Sequence, residues 1–147
     1  HYTYRSSRLK DRLLDPVQAA GPIVLAAGFD LKEEDPGPLT ERADGYLARR
    51  RATQPVEPSA GSIFRNPPGD YAGRLIESVG LKGHRIGGAQ VSPRHANFVV
   101  NAGEASASDV MATINLIREK VFAATGIRLA PEILFVGEWT APPLLAL

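Results

Sequence analysis

The stretch AGRLIESVGLKGHRIGGAQVSPRHANFVVN, residues 72–101, decides the fold class. Ala72, Leu75, Ile76 and Val79 recur at helical spacing, and Gly80 stands where a short helix can end. Beyond it the helical period is lost. Leu81–Ser92 reads as a glycine-punctuated strand or bulge, and FVVN (98–101) as a short strand before an Ala-Gly turn. Helix and strand signals therefore mix without a strict βαβ rhythm. This predicts an α+β fold, a small mixed or antiparallel sheet packed with two to three helices.

Downstream of this stretch the signals continue in kind. Ser106 with Asp109 three residues later predicts a capping box. Val110, Ile114, Ile117 and Val121 mark the clearest helix of the chain, which Gly126 closes. Ile127, Leu129, Ile133 and Phe135 alternate through a predicted last strand, and EWTAPPLLAL (138–147) reads as a loose tail.

Upstream, ATQPVEPSAGSIFRNPPGD (52–70) holds four prolines and two glycines, so a long loop is expected, either floppy or a binding loop. Before it, Leu39, Ala43, Tyr46, Leu47 and Arg50 predict an amphipathic helix over about 38–52. Gly45 weakens its middle, and Arg49, Arg50 and Arg51 suit the negative end of its dipole. KEEDPGP (32–38) reads as a charged turn. PIVLAAGFDL (22–31) places Ile23, Leu25, Ala27, Phe29 and Leu31 on one side of a period-two repeat, which predicts a strand. The first twelve residues, with Arg5, Arg8, Lys10 and Arg12 against Asp11, read as a solvated basic segment.

Composition sets outer bounds. The 147 residues suit one compact domain, with 44% hydrophobic and 22% charged residues. The 14 Gly and 12 Pro predict a loop-rich but folded chain. The absence of cysteine excludes disulfides, thiolate zinc sites and catalytic thiols. A net charge of +1 gives no pointer to nucleic acid, and no apolar run resembles a membrane span. The first residue is His1 rather than Met, so either a segment has been removed or the chain is a piece of a longer one.

Three places hold polar residues that packing does not need. In AGSIFRNP (60–67), Gly61 permits a tight turn, Ser62 offers a hydroxyl, and Asn66 precedes Pro67 in an extended conformation. The alternative is a proline-bounded turn whose Ser and Asn bond their own backbone. No His or Asp neighbours Ser62 in a nucleophile-elbow pattern, so a hydrolase triad is not supported. In RIGGAQVSPRHANFVVN (85–101), Gly87 and Gly88 suggest a close backbone approach, while Arg85, Gln90, Arg94, His95 and Asn97 suit phosphates or a nucleobase. A bulged strand with a solvated polar face is the alternative, and no dinucleotide fingerprint is present. In LAPEILFVG (129–137), Glu132 sits in an otherwise apolar run, on the face opposite Ile133 and Phe135. Such a carboxylate needs a partner or a raised pKa, unless it is an edge residue in water. His1, His84 and His95 lack metal-ligand spacing, so no metal site is expected.

Together, YRSS (4–7), RATQPVEPSAGSIFRNP (51–67), the stretch 72–101 and PEILFVG (131–137) resemble the UDP-N-acetylenolpyruvoylglucosamine reductase family, also called UDP-N-acetylmuramate dehydrogenase. The resemblance runs from residue 2 to about 137 and looks like the shorter branch, without the tyrosine-bearing insertion between the serine loop and GLKG. It implies NADPH-dependent, FAD-mediated reduction of UDP-N-acetylglucosamine enolpyruvate, a cytoplasmic step of peptidoglycan precursor synthesis. By that resemblance Arg5 matches the arginine that stabilises the developing enolate, Ser62 the proton donor, and Glu132 the remaining catalytic residue. Tyr4, Arg65, Asn66, Gln90, His95 and Asn97 would hold the UDP-sugar.

The family's N-terminal flavin-binding subdomains, with their glycine-rich pyrophosphate loop, have no counterpart in this sequence. The resemblance thus implies that 1–36 ends the FAD-binding region, 37–137 is the C-terminal substrate-binding domain, and 138–147 is a tail. Chemistry would then require the N-terminal FAD-binding half of a full-length chain. The alternatives are a non-catalytic UDP-sugar-binding module lacking the flavin domain, and a stable fragment without ligand affinity.

Overall fold

The structure is a computed structural model that describes residues 2–3, 6–7, 23–137 and 139. The chain divides into two compact units, His1–Pro36 and Gly37–Leu147. In the first, β1 (Tyr2–Thr3) and β2 (Ser6–Ser7) form an antiparallel ladder that pairs Tyr2 with Ser7 and Thr3 with Ser6. The strand expected over 22–31 is absent from the described part of that stretch. Residues 23–31 take no regular structure and are all exposed, Leu25 at 92% and Phe29 at 80%. Alternation states a preference for the pleat, but a strand forms only where a neighbour completes its ladder.

The second unit carries most of the architecture. Its first helix, α1 (Pro36–Thr53), agrees with the expected helix but buries no residue, so the expected apolar stripe is not a core face in this structure. Leu39, Tyr46 and Leu47 remain exposed. The long loop that follows contains an unforeseen strand, β3 (Ser59–Ser62). Next come α2 (Ala72–Ser78), β4 (Arg85–Ile86), β5 (Ala89–Val91), β6 (Phe98–Asn101) and α3 (Ala107–Thr125). The sheet order is β3-β6-β5-β4, with every pairing antiparallel. The α+β class is therefore observed, with three helices among the described residues.

Local chemistry explains the clearest elements. At the start of α3, the Ser106 hydroxyl accepts from Asp109 N at 3.1 Å, while Asp109 Oδ2 accepts from Ser106 N at 2.9 Å. Gly126 closes the helix in the left-handed conformation. The β4–β5 hairpin turns at Gly87–Gly88. A Cβ on Gly88 would strike the Gly103 carbonyl and the Ala105 backbone, so glycine is required by close approach within the chain itself.

The sheet has two faces. Ala89 and Val91 of β5 and Val99 of β6 point into a core shared with Ile114, Ile117 and Val121 of α3 and Leu75 and Ile76 of α2. The opposite face carries the partners of the alternate register, Gln90 with Val100 and Phe98 with Ser62. The predicted last strand is reduced to one isolated bridge, Pro131 to Phe64. Leu129 is buried in the core, and the residues flanking Pro131 make the bridge, with Arg65 N donating to Ala130 O and Glu132 N to Ile63 O.

Candidate functional site

Ser62 owes its position to a bulge. Ser59 pairs with Val100 and Ser62 with Phe98, so three steps along β3 match two along β6. Plain alternation would put Ser59 and Ser62 on opposite faces; the extra residue brings both to the face away from α2 and α3. Gly61 absorbs the irregularity at φ +81°, a conformation that a side chain would strain. Ser62 ends half-buried beside Phe98.

The segment after Ser62 is held from both sides. On one side, Ile63 N donates to Asn97 O at 2.9 Å. The Asn97 amide then clamps Phe64, with Oδ1 accepting from Phe64 N at 3.0 Å and Nδ2 donating to Phe64 O at 2.9 Å. On the other side, Arg65 N donates to Ala130 O at 2.9 Å and Glu132 N to Ile63 O at 2.7 Å. Glu132 is thereby hydrogen-bonded through its backbone to the residue next to Ser62, though the two lie seventy positions apart in sequence. The Glu132 side chain is half-buried, with Oε2 shielded from solvent.

The remaining expected residues take mixed positions. Asn97 is 4% exposed, and both ends of its amide are engaged by Phe64, so its visible role is to hold the serine segment. Asn66 Oδ1 accepts from Ala72 N at 3.0 Å and so holds the first turn of α2. Arg65 is exposed beside it. His95 accepts from Asn97 N through Nδ1 at 3.2 Å, packs edge-on to Phe98 at 5.0 Å, and lies over Gly73 of α2. Gln90 shares the Ser62 face, but its Nε2 donates to Gly83 O at 3.0 Å. Tyr4 and Arg5 lie outside the described residues.

A cavity of about 540 Å³ opens on the same face. Its walls include Leu47, Arg50 and Arg51 from α1, Gln54 and Pro58 from the following segment, and Gly61 and Phe98 next to Ser62. The Arg94 guanidinium fastens one wall to the 92–97 turn, with Nη1 donating to Arg51 O at 2.5 Å and Gln54 O at 3.3 Å. Ser92, 1% exposed, shapes that turn by accepting from Arg94 N and His95 N. Phe98, Arg50 and Arg51 were not singled out as site residues from the sequence. Phe98 read as an ordinary strand residue and the arginines as a helix terminus, so no local signal marks them as cavity walls.

The charge chemistry of the described residues is modest. Asp70 is held at about 2, chiefly by the Arg74 guanidinium and then by Tyr71 N. Asp109 is held below the usual carboxylate range by the backbone and side chain of Ser106. Neither group lines the cavity. The turn at Gly87–Gly88 leaves no room for a ligand against its backbone. The glycine pair that suggested a close approach is filled by Asp109, Gly103 and Ala105 of the chain itself. Among the described residues no helix is long and apolar enough to cross a membrane.

The site can be set beside known proteins. A family model described as "UDP-N-acetylenolpyruvoylglucosamine reductase, C-terminal domain" matches residues 54–136, more than half of the chain. Proteins named UDP-N-acetylenolpyruvoylglucosamine reductase are similar to it. That of Caldicellulosiruptor bescii is 46% identical over 145 residues, covering 96% of this chain and 43% of the relative. That of Methylococcus capsulatus is 51% identical over 119 residues, covering 80% and 39%. The crystal structure of the Thermus caldophilus reductase superposes with a TM-score of 0.57 at 41% identity, covering 68% of this chain and 35% of that one. The chain thus spans less than half the length of the relatives it matches.

Proposed function

The chain belongs to the UDP-N-acetylenolpyruvoylglucosamine reductase family through that family's C-terminal domain, and on this premise we propose that it is the substrate-binding part of such a reductase. The whole enzyme would reduce UDP-N-acetylglucosamine enolpyruvate to UDP-N-acetylmuramate, a cytoplasmic step of peptidoglycan precursor synthesis that serves cell-wall growth, cell shape and division. FAD, reduced by NADPH, would supply the hydride equivalent and would be held by the N-terminal part of the longer protein. Residues 1–36 would close that flavin-binding part, 37–137 would form the substrate domain, and 138–147 a tail. The division of the chain at Pro36 and Gly37 supports that boundary.

The observation that carries the reading is the joining of Ser62 and Glu132 through the Ile63 carbonyl, beside a cavity large enough for a nucleotide sugar. Addition of hydride to one carbon of the enolpyruvyl double bond leaves a carbanion on the carbon next to the carboxylate. The Ser62 Oγ–H supplies the proton that quenches it, and the alkoxide left behind is reprotonated from solvent. Serine is a weak acid, so this transfer needs a strongly basic acceptor and a well-placed donor; the Gly61 bulge and the Asn97 clamp fix the backbone that carries Ser62. Arg5 would stabilise the enolate as a permanent cation, and Glu132 would act beside the same centre. Tyr4, Arg65, Asn66, Gln90 and His95 would hold the UDP-sugar, with Asn97 keeping the serine segment in register.

The test joins this chain to the N-terminal remainder of the Caldicellulosiruptor bescii relative. The joined protein is expected to bind flavin and to oxidise NADPH when the enolpyruvyl UDP-sugar is added. A folded, flavin-loaded protein without turnover would refute the reductase reading. The second reading, a non-catalytic UDP-sugar-binding module, rests on the cavity alone and gives Ser62 no role. That reading requires UDP-N-acetylglucosamine to bind while Ser62→Ala has no effect on any turnover.

A further inference from the structure

The helix α1 buries no residue, and the hydrophobic cluster of the second unit begins only at Ile63. Helices in proteins are held mainly by packing one apolar face, and α1 lacks that support. Its last turns nevertheless form a wall of the cavity through Leu47, Arg50 and Arg51. Among the described residues, one side chain outside the helix hydrogen-bonds to residues 43–54. Arg94 Nη1 donates to Arg51 O at 2.5 Å and to Gln54 O at 3.3 Å. The sequence explains why these two carbonyls are open. An α-helical carbonyl accepts from the N–H four residues on, and those positions are Pro55 and Pro58, which have no N–H. The neighbouring Arg50 O, by contrast, is taken up by Gln54 N at 2.9 Å. A cation at the negative end of the helix dipole adds to the fit.

We propose that Arg94 is a positioning residue for the cavity, a latch that fixes the C-terminal end of α1 and so sets where Arg50, Arg51 and Gln54 stand. The latch has a firm mounting. Ser92, 1% exposed, accepts from Arg94 N at 3.1 Å and from His95 N at 3.3 Å, and its own N–H donates to Phe98 O at 2.8 Å. The same turn leads into Asn97, which clamps the serine segment. One short turn therefore holds both the wall and the segment that carries Ser62, by separate hydrogen bonds. From sequence, Arg94 was one of several donors suited to a phosphate; here its guanidinium is directed to two helix carbonyls. That the latched wall meets a UDP-sugar rests on the reading given under the proposed function.

Amide hydrogen exchange and steady-state kinetics test it together. In this chain, Arg94→Ala is expected to speed exchange at residues 50–54 roughly 10- to 100-fold, the loss of a charge-assisted hydrogen bond, with exchange at Phe98–Asn101 unchanged. Arg94→Lys should restore most of the protection, because a single nitrogen makes both bonds and an ammonium can take its place. In the joined protein, Arg94→Ala is expected to raise KM for the enolpyruvyl UDP-sugar roughly 10-fold while kcat stays within about threefold, since Ser62 and Glu132 are held by other bonds. Unchanged exchange at 50–54 overturns the latch, and a raised KM in that case assigns Arg94 to direct ligand contact. Faster exchange with KM unchanged, or a fall in kcat alone, overturns its role in the cavity. A joined wild-type protein without turnover refutes the reductase reading, while exchange in this chain still decides the latch.

Discussion

Asn97 shows how a polar residue can matter to a site without meeting a ligand. Its amide occupies both backbone groups of Phe64 in the interior, and Phe64 lies two residues from Ser62. Replacing it by Ala would leave a buried donor and a buried acceptor without partners, at a cost of about 2–4 kcal/mol. Urea unfolding of Asn97→Ala is expected to show a lowered midpoint with an unchanged slope. Ser62→Ala should behave oppositely. In the joined protein it is expected to lower turnover by roughly 10²–10⁴-fold, with NADPH still reducing the flavin and stability unchanged. Measuring turnover and unfolding on both variants separates the residue proposed to transfer a proton from the one that holds it in place. From sequence alone both were polar residues in glycine-rich surroundings, and their difference in burial could not be read there.

At the scale of elements, the β3 bulge and the α3 cap yield distinct predictions. Gly61→Ala forces a side chain into a left-handed backbone at φ +81°, which costs about 1–2 kcal/mol. Relief of that strain would shift the register of Ser62 against Phe98, so turnover in the joined protein should fall more than UDP-sugar binding does. The cap of α3 responds to acid. Asp109 is held below its ordinary value of 3.8 in the folded chain, so the stability it contributes is complete above that value and declines as pH falls below it. Asp70, held at about 2 by Arg74, acts in the same direction between 3.8 and about 2, but its exposure to solvent makes its share small. Asp109→Ala is expected to lower stability at neutral pH and to flatten the acid side of the stability profile, as followed by circular dichroism. The capping box was legible because its residues lie three apart. The bulge was not, because it exists only in the pairing of β3 with β6.

The whole molecule is unevenly built. Among the described residues the buried core residues that pack together fall between Ile63 and Leu129, so removing residues 1–36 is expected to leave the urea midpoint and slope of the remainder nearly unchanged. A large drop on truncation would mean that the first unit supports the second. The sequence by itself determined the helices at 72–78 and 107–125, the FVVN strand, the α+β class and, through four ordered motifs, the family. Those properties rest on caps, periods and short-range patterns that neighbouring residues supply. Only the tertiary structure decided that 59–62 is a strand, that 127–135 is not one, and that the 23–31 alternation stays open in this chain. It alone joined Glu132 to the serine segment and gave α1 a cavity wall instead of a core face. The physical reason is common to all of these: a strand, a bulge or a site exists through hydrogen bonds between distant parts of the chain, and no local period encodes which partner will be there.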